Sequence, residues 1–173
     1  MTIEGLRRGD MLLCHNHGAV PWMIQHIEHS PWGHVAWVYD EHFAIEALSQ
    51  GVVMSPLHTF KLTNPDRIQV VRIRPEFIRP QHLDAAVELA AYKFVGEPYD
   101  WRLIAELGLY WACHWRHSRP IRGGDNALIC SEVVARALHD TCGFQFRPEV
   151  PWQNTSPSDI AKSEKVIKVV LGG

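Results

Sequence analysis

The sequence predicts an α+β fold in which an antiparallel sheet of about five to six strands packs against helices. Three short apolar stretches follow one another with only brief polar turns between them, which is typical of neighbouring antiparallel strands. These stretches are His34–Tyr39, Phe43–Leu48 and Val52–Met54. A long alanine- and leucine-rich segment, Gln81–Val95, is closed by Gly96 and predicts a helix that packs on the sheet.

The other elements follow from the same kind of pattern. Short apolar or alternating runs predict further strands, and apolar residues at helical spacing predict further helices. The predicted strands are Met11–Cys14, Arg67–Arg74 and Val166–Leu171, and the predicted helices are Pro21–Glu28, Trp101–His114, Cys130 to about Asp140 and one capped by Ser156. The polar stretch from His117 to Asn126 contains a Gly-Gly pair and predicts an exposed loop.

Composition limits the classes of function. The chain has 173 residues, 46% of them hydrophobic and 21% charged, so we expect one globular domain over residues 1–173. The formal net charge of −2 gives no field that would attract nucleic acid. No stretch approaches the roughly 20 apolar residues of a membrane span. Four cysteines without a CxxC pair and no apparent signal peptide favour a cytoplasmic protein, with export by a signal-independent route left open.

Cys130 is the first candidate for a catalytic residue. It opens the segment Ile129 to Leu138, which predicts a loop that turns into an amphipathic helix. A thiol at a helix N-terminus lies beside unpaired backbone N–H groups and the positive end of the helix dipole, and both stabilise the thiolate. The same N–H groups can stabilise an oxyanion on a carbonyl under attack.

His34 and Glu46 supply the other groups that an activated thiol needs. An imidazole accepts the proton of the thiol and later returns it to the leaving group, and a carboxylate on the other ring nitrogen orients the ring. Pairing across a turn at about residue 40 to 41 would bring these two side chains roughly opposite each other on adjacent strands. Each residue alone is also compatible with a structural role, but a carboxylate within an apolar strand requires a partner.

The ordered set of motifs resembles the circularly permuted NlpC-like cysteine hydrolases, in particular the YiiX-like group of the papain-like superfamily. The similarity covers nearly the whole chain, in the order of that family. The matching segments are Gly9 to Leu13, Ile24-Gln25, Ser30 to Ala36, Ile45 to Leu48, Gly51 to Leu57, Tyr99 to Trp101, Cys130 to Val134 and Ser156 to Ile160.

This resemblance implies a permuted papain-like fold and a cysteine hydrolase that works without a cofactor. It makes Cys130 the nucleophile, His34 the general base and acid, and Glu46 the residue that orients the imidazole. Tyr99 becomes the candidate for assisting the oxyanion. Family members act on cell-wall peptides or, by analogy, on lipid-linked acyl substrates, so a peptide amide is expected and acyl transfer on the same triad is the alternative.

Two other functions remain open from the residues alone. Eleven histidines include pairs at spacings that zinc can use, which would indicate a metal site. These spacings are His15-x-His17, His26-x-x-His29 and Cys113-His114-x-x-His117. Seven tryptophans could instead form the surface of a catalytically silent binding module, although tryptophan is also common in cores.

Overall fold

The computed structural model describes residues 4–15, 19–60, 62, 64, 66–100 and 129–172. These residues form six strands and four α-helices, together with two short 3₁₀ turns and a π-helical turn at Ala90–Phe94. In chain order the elements are β1 (Met11–Cys14), α1 (Ala19–Glu28), β2 (His34–Val38), β3 (Phe43–Leu48), β4 (Gly51–Pro56), β5 (Ile68–Ile73), α2 (Pro80–Leu89), α3 (Cys130–Cys142), α4 (Pro157–Lys162) and β6 (Val166–Val169).

The six strands form one sheet, in the order β4-β3-β2-β1-β5-β6, and every neighbouring pair is antiparallel. This confirms the predicted α+β class with its antiparallel sheet. The predicted strands agree with the structure to within a few residues, and the predicted helix at Gln81–Val95 comprises α2 and the π-helical turn that continues it. The predicted helix at Trp101–His114 and the predicted loop after it lie outside the described residues.

The sheet separates two clusters of buried side chains, because successive residues of a strand point to opposite faces. Val35, Trp37 and Ile45 belong to the first cluster, which also contains the buried side of α2 and α3. Ala36, Val38 and Ala44 belong to the second, smaller cluster. Helix α3 packs against β2 and β3, so its N-terminus is held close to the strands that carry His34 and Glu46.

The register between β2 and β3 corrects one sequence-based expectation. Glu46 is paired with Ala36, two residues along β2 from His34, which the turn at about residue 40 to 41 had placed roughly opposite Glu46. His34 therefore lies diagonally from Glu46, on the same face of the sheet. Diagonal neighbours remain within reach of long side chains, so His34 and Glu46 can still interact across the two strands.

The approach of α1 to the start of β2 depends on Gly33. A methyl group at this position would lie 2.6 Å from the carbonyl oxygen of Pro21, closer than non-bonded atoms tolerate. We expect Gly33→Ala to lower the free energy of unfolding by about 1–3 kcal/mol, because backbone must move to relieve the overlap. Chemical denaturation measures the loss.

Gly172→Ala is the matched control, because the nearest atoms to a methyl group there belong to the flexible side chain of Glu4, at 3.4 Å or more. It should leave the midpoint of denaturation near that of the wild type. Equal midpoints for Gly33→Ala and Gly172→Ala would contradict the close packing of α1 on Gly33.

No helix within the described part of the chain is both long enough and apolar enough to cross a membrane.

Candidate active site

Cys130 is the first residue of α3, and its sulfur lies at a helix N-terminus whose N-cap residue makes no side-chain capping bond. The N-cap residue is Ile129, which has no hydrogen-bonding side chain. Backbone N–H groups of Val35 and Ser131 donate hydrogen bonds to the sulfur. Helix α4 shows the contrast, because there Ser156 and Asp159 form a complete capping box. The N-terminus of α3 is thus built around a thiol, and Cys130 itself is 2% exposed.

His34 and Glu46 form a buried ion pair beside this thiol. His34 Nε2 donates a hydrogen bond to Glu46 Oε2 over 2.7 Å, and the two residues are only 6% and 8% exposed. The side chains of His34 and Cys130 are also in hydrogen-bond contact. Because Nε2 is engaged by the carboxylate, Nδ1 is the ring atom available to the sulfur. The structure therefore brings together the three side chains that the sequence singled out.

The electrostatics of the site favour a thiolate beside an imidazolium. Burial alone disfavours the charged imidazolium, but the adjacent Cys130 and Glu46 outweigh it and raise the pKa of His34 to about 10. Burial also disfavours the thiolate, yet the charge and the hydrogen bond of His34, with the two backbone N–H groups, lower the pKa of Cys130 below its usual value. Each member of the pair thus holds the other in its charged form.

Glu46 has a second partner that the sequence analysis did not identify. Burial acts to raise the pKa of its carboxyl group, but hydrogen bonds from His34 and from the hydroxyl of Ser55 keep that pKa below its usual value. Ser55 lies on β4 opposite Ala44, so it shares a face of the sheet with Glu46. The alternation of strand residues could have revealed it, since residues 53 and 55 fall on that face once the turn after β3 is fixed.

Cys14 is a second thiol near the site, and the sequence analysis did not predict its position opposite His34. It is buried on β1, directly opposite His34. Burial, together with the negative charges of Glu46 and of the Cys130 thiolate, raises its pKa well above the usual value. Its Sγ donates to the carbonyl of Leu12 over 3.4 Å. Cys14 is therefore a neutral thiol, and Cys130 is the activated one of the two.

Tyr99 is half-buried and packs against the same core cluster that contains Cys130. The segment before it is tied to β4, because the N–H of Val52 donates to the carbonyl of Glu97 and the N–H of Gly96 donates to the carbonyl of Val52, each over 2.9 Å. A role of its hydroxyl at the oxyanion stays a prediction.

Some observations on the described residues bear on the two alternative functions. In residues 4–15, 19–60, 66–100 and 129–172, no group of three or more His, Cys, Asp or Glu side chains could hold a metal ion. His17, Cys113, His114 and His117 lie outside the described residues. Trp37 is fully buried and donates to the carbonyl of Gly9, so it belongs to the core, whereas Trp22 is 46% exposed.

A thiol at a helix N-terminus, facing a histidine and a carboxylate on an antiparallel sheet, characterises the papain-like cysteine hydrolases. Here the histidine and the carboxylate precede the cysteine in the chain, which is a permuted order. The chain belongs to the family described as permuted papain-like amidase enzyme, YaeF/YiiX, C92 family, whose model matches residues 5–151.

The fold also matches a solved structure over almost its full length. The crystal structure of metalloprotein YiiX from Escherichia coli O157:H7 has a TM-score of 0.68 with this chain and 16% sequence identity. The match covers 97% of this chain and 98% of YiiX. A search among curated proteins gave no match. Membership of the family thus indicates a papain-like amidase, and the similarity to YiiX indicates the fold.

Proposed function

We propose that this protein hydrolyses an amide bond in a peptide through an acyl-enzyme intermediate on Cys130. The observation that carries the proposal is the continuous buried contact from Cys130 to His34 to Glu46 at the N-terminus of α3. Membership of the amidase family supports the reaction type. A peptide of the bacterial cell wall is one substrate of the proposed class.

In the first half of the reaction, the Cys130 thiolate attacks the carbonyl carbon of the substrate. The carbonyl oxygen becomes an oxyanion, which the backbone N–H groups at the start of α3 stabilise, with the Tyr99 hydroxyl as a proposed further donor. The tetrahedral intermediate collapses when the C–N bond breaks. His34 gives its proton to the departing amine, and a thioester on Cys130 remains.

In the second half, His34 accepts a proton from a water molecule that attacks the thioester carbonyl. The C–S bond breaks, a carboxylic acid leaves, and the proton returns the site to its thiolate–imidazolium form. Glu46 stays ionised throughout and holds the ring of His34 through Nε2. An acceptor other than water in this step would make the protein an acyltransferase with the same intermediate.

Paired chromogenic substrates test the proposal. Peptide anilides and long-chain acyl esters are offered to the protein, and rapid quenching with intact-mass measurement follows Cys130. A peptide substrate that turns over and transiently adds its acyl mass to Cys130 supports the proposal. Turnover of acyl esters alone, or transfer of the acyl group to an added amine in preference to water, would replace the peptide amidase with an acyl hydrolase or acyltransferase.

Glu46→Gln is expected to reduce kcat by about 10- to 100-fold, a smaller loss than removal of the thiol, because the amide can still hold the ring without its charge. The raised pKa of His34 depends partly on the Glu46 carboxylate. Loss of that charge lowers the pKa of the imidazolium, so activity should disappear at a lower pH on the basic side of the profile.

The pH profile of kcat/KM measures this shift, and Glu41→Gln is the matched control because that carboxylate is exposed in the turn before β3. The control should reproduce the wild-type profile. A basic limb that is unchanged in Glu46→Gln would remove Glu46 from the proposed role.

A further inference from the structure

We propose that Ser55 is a positioning residue of this site, which holds the Glu46 carboxylate ionised and in place against His34. The inference rests on the proposed function, and it extends the site from three side chains to four. The pairing of β4 with β3 places Ser55 beside Glu46, a hydrogen bond joins Glu46 to His34, and His34 interacts with Cys130. Ser55 acts through Glu46 and has no contact with the reacting atoms in this assignment.

The sheet places Ser55 close enough to Glu46 that a short hydroxyl side chain is sufficient to interact with the carboxylate. Strand β4 is an edge strand and pairs with β3 so that Ser55 is opposite Ala44 and Val53 is opposite Glu46. Ser55 is therefore the diagonal neighbour of Glu46 on one side, as His34 is on the other. The carboxylate lies between an imidazole donor from β2 and a hydroxyl donor from β4.

A buried carboxylate needs this second donor. Glu46 is 8% exposed, so water satisfies little of its charge, and one of its oxygens already accepts the hydrogen bond from His34. A serine hydroxyl has one proton, and beside an ionised carboxylate it donates that proton. Hydrogen bonds to the charged form stabilise it, whereas an unpaired lone pair in a buried site favours protonation.

The ionisable groups around Glu46 are few among the described residues that interact with it. They are His34 from β2 and Cys14 from β1, while Cys130 from α3 interacts with His34. The imidazolium favours the ionised carboxylate. Ser55 is the neutral donor in this set, and its removal changes the hydrogen bonding of Glu46 without changing the net charge of the site.

Ser55→Ala is therefore expected to raise the pKa of the Glu46 carboxyl by about one unit. The ¹³C signal of that carboxyl group in the full-length protein, assigned by its absence in Glu46→Gln, reports the midpoint of titration. The acidic limb of kcat should move to higher pH by a similar amount, while KM and the basic limb stay unchanged. A purely structural role would alter thermal stability without moving these limbs.

Two further variants complete the experiment. Ser55→Thr keeps the hydroxyl on a β-branched side chain that suits a strand, and it should restore both the wild-type Glu46 midpoint and the acidic limb. Ser49→Ala removes an exposed hydroxyl from the turn of the same hairpin, where its contact is with Gln50, and should change neither.

The outcomes separate this inference from the proposed function. If Cys130→Ala is inactive and the Glu46 midpoint of Ser55→Ala equals that of the wild type, the role of Ser55 is overturned and the function stands. If Ser55→Thr fails to restore the midpoint although it folds, a structural effect of the substitution replaces the inference. If Cys130→Ala keeps its turnover, the proposed function is overturned, whereas a shifted Glu46 midpoint would still support the contact from Ser55.

Discussion

Replacing Cys130 with alanine is expected to reduce turnover of a peptide amide by at least about 1,000-fold, because no other group in the proposed mechanism can form the thioester. The protein should still fold. The side chain that is lost is small, and Ala is a good helix former at the first position of α3. Steady-state hydrolysis and far-UV circular dichroism measure the two effects.

Cys142→Ala is the matched control for this result. Cys142 ends the same helix, is exposed, and its Sγ donates a hydrogen bond to the carbonyl of Leu138 over 3.3 Å. The control should keep the wild-type rate. Residual turnover in Cys130→Ala that remains within about tenfold of the wild type would be incompatible with a nucleophilic role for the thiol.

Replacing His34 with alanine is expected to slow alkylation of Cys130 by iodoacetamide about 100-fold at pH 6. In the wild type the pKa of Cys130 is lowered and that of His34 is raised to about 10, so the thiolate–imidazolium pair should persist from acidic pH up to about pH 10. Without the imidazolium, burial is no longer outweighed and the pKa of the thiol rises. An ordinary thiol with a pKa of about 8.5 is only about 0.3% ionised at pH 6.

The pH dependence of the alkylation rate therefore distinguishes the wild type from His34→Ala. Wild-type Cys130 should react at a nearly constant rate across neutral pH, whereas in His34→Ala the rate should rise about tenfold for each pH unit. His42→Ala, at an exposed position just before β3, is the control and should behave as the wild type. A wild-type rate that rises as steeply as that of His34→Ala would show that no ion pair activates the thiol.

Much of the fold is readable from short-range patterns. The alternation of apolar residues and the short turns between them define the meander β2-β3-β4, since strand period and turn chemistry are local properties. Ser156 followed by Pro157 similarly marks the start of α4, where the structure has a complete capping box. The glycine after α3, Gly143, ends that helix in a left-handed conformation at φ 70°.

The candidate site was only partly accessible to the same reasoning. The residue types at 130, 34 and 46 carry recognisable chemistry, and the family resemblance orders them. Ser55 and Cys14 have no such signature, because a serine on an edge strand or a cysteine in an apolar strand is ordinary in any sheet. The place of Ser55 follows from the pairing of β4 with β3, whose register depends on the exact turn, and that of Cys14 follows from the pairing of β1 with β2, which no local pattern specifies.

The sequence by itself determined the class of fold, the positions within a few residues of the strands and helices that the structure describes, and the three side chains worth testing. Only the tertiary structure decided the diagonal register of His34 and Glu46 and the contact of the α3 N-terminus with β2. The physical reason is the range of the forces involved. Backbone conformation and periodicity are set by neighbours in the chain, whereas the pKa values of Cys130 and His34 depend on charges and burial that residues distant in sequence supply only after packing.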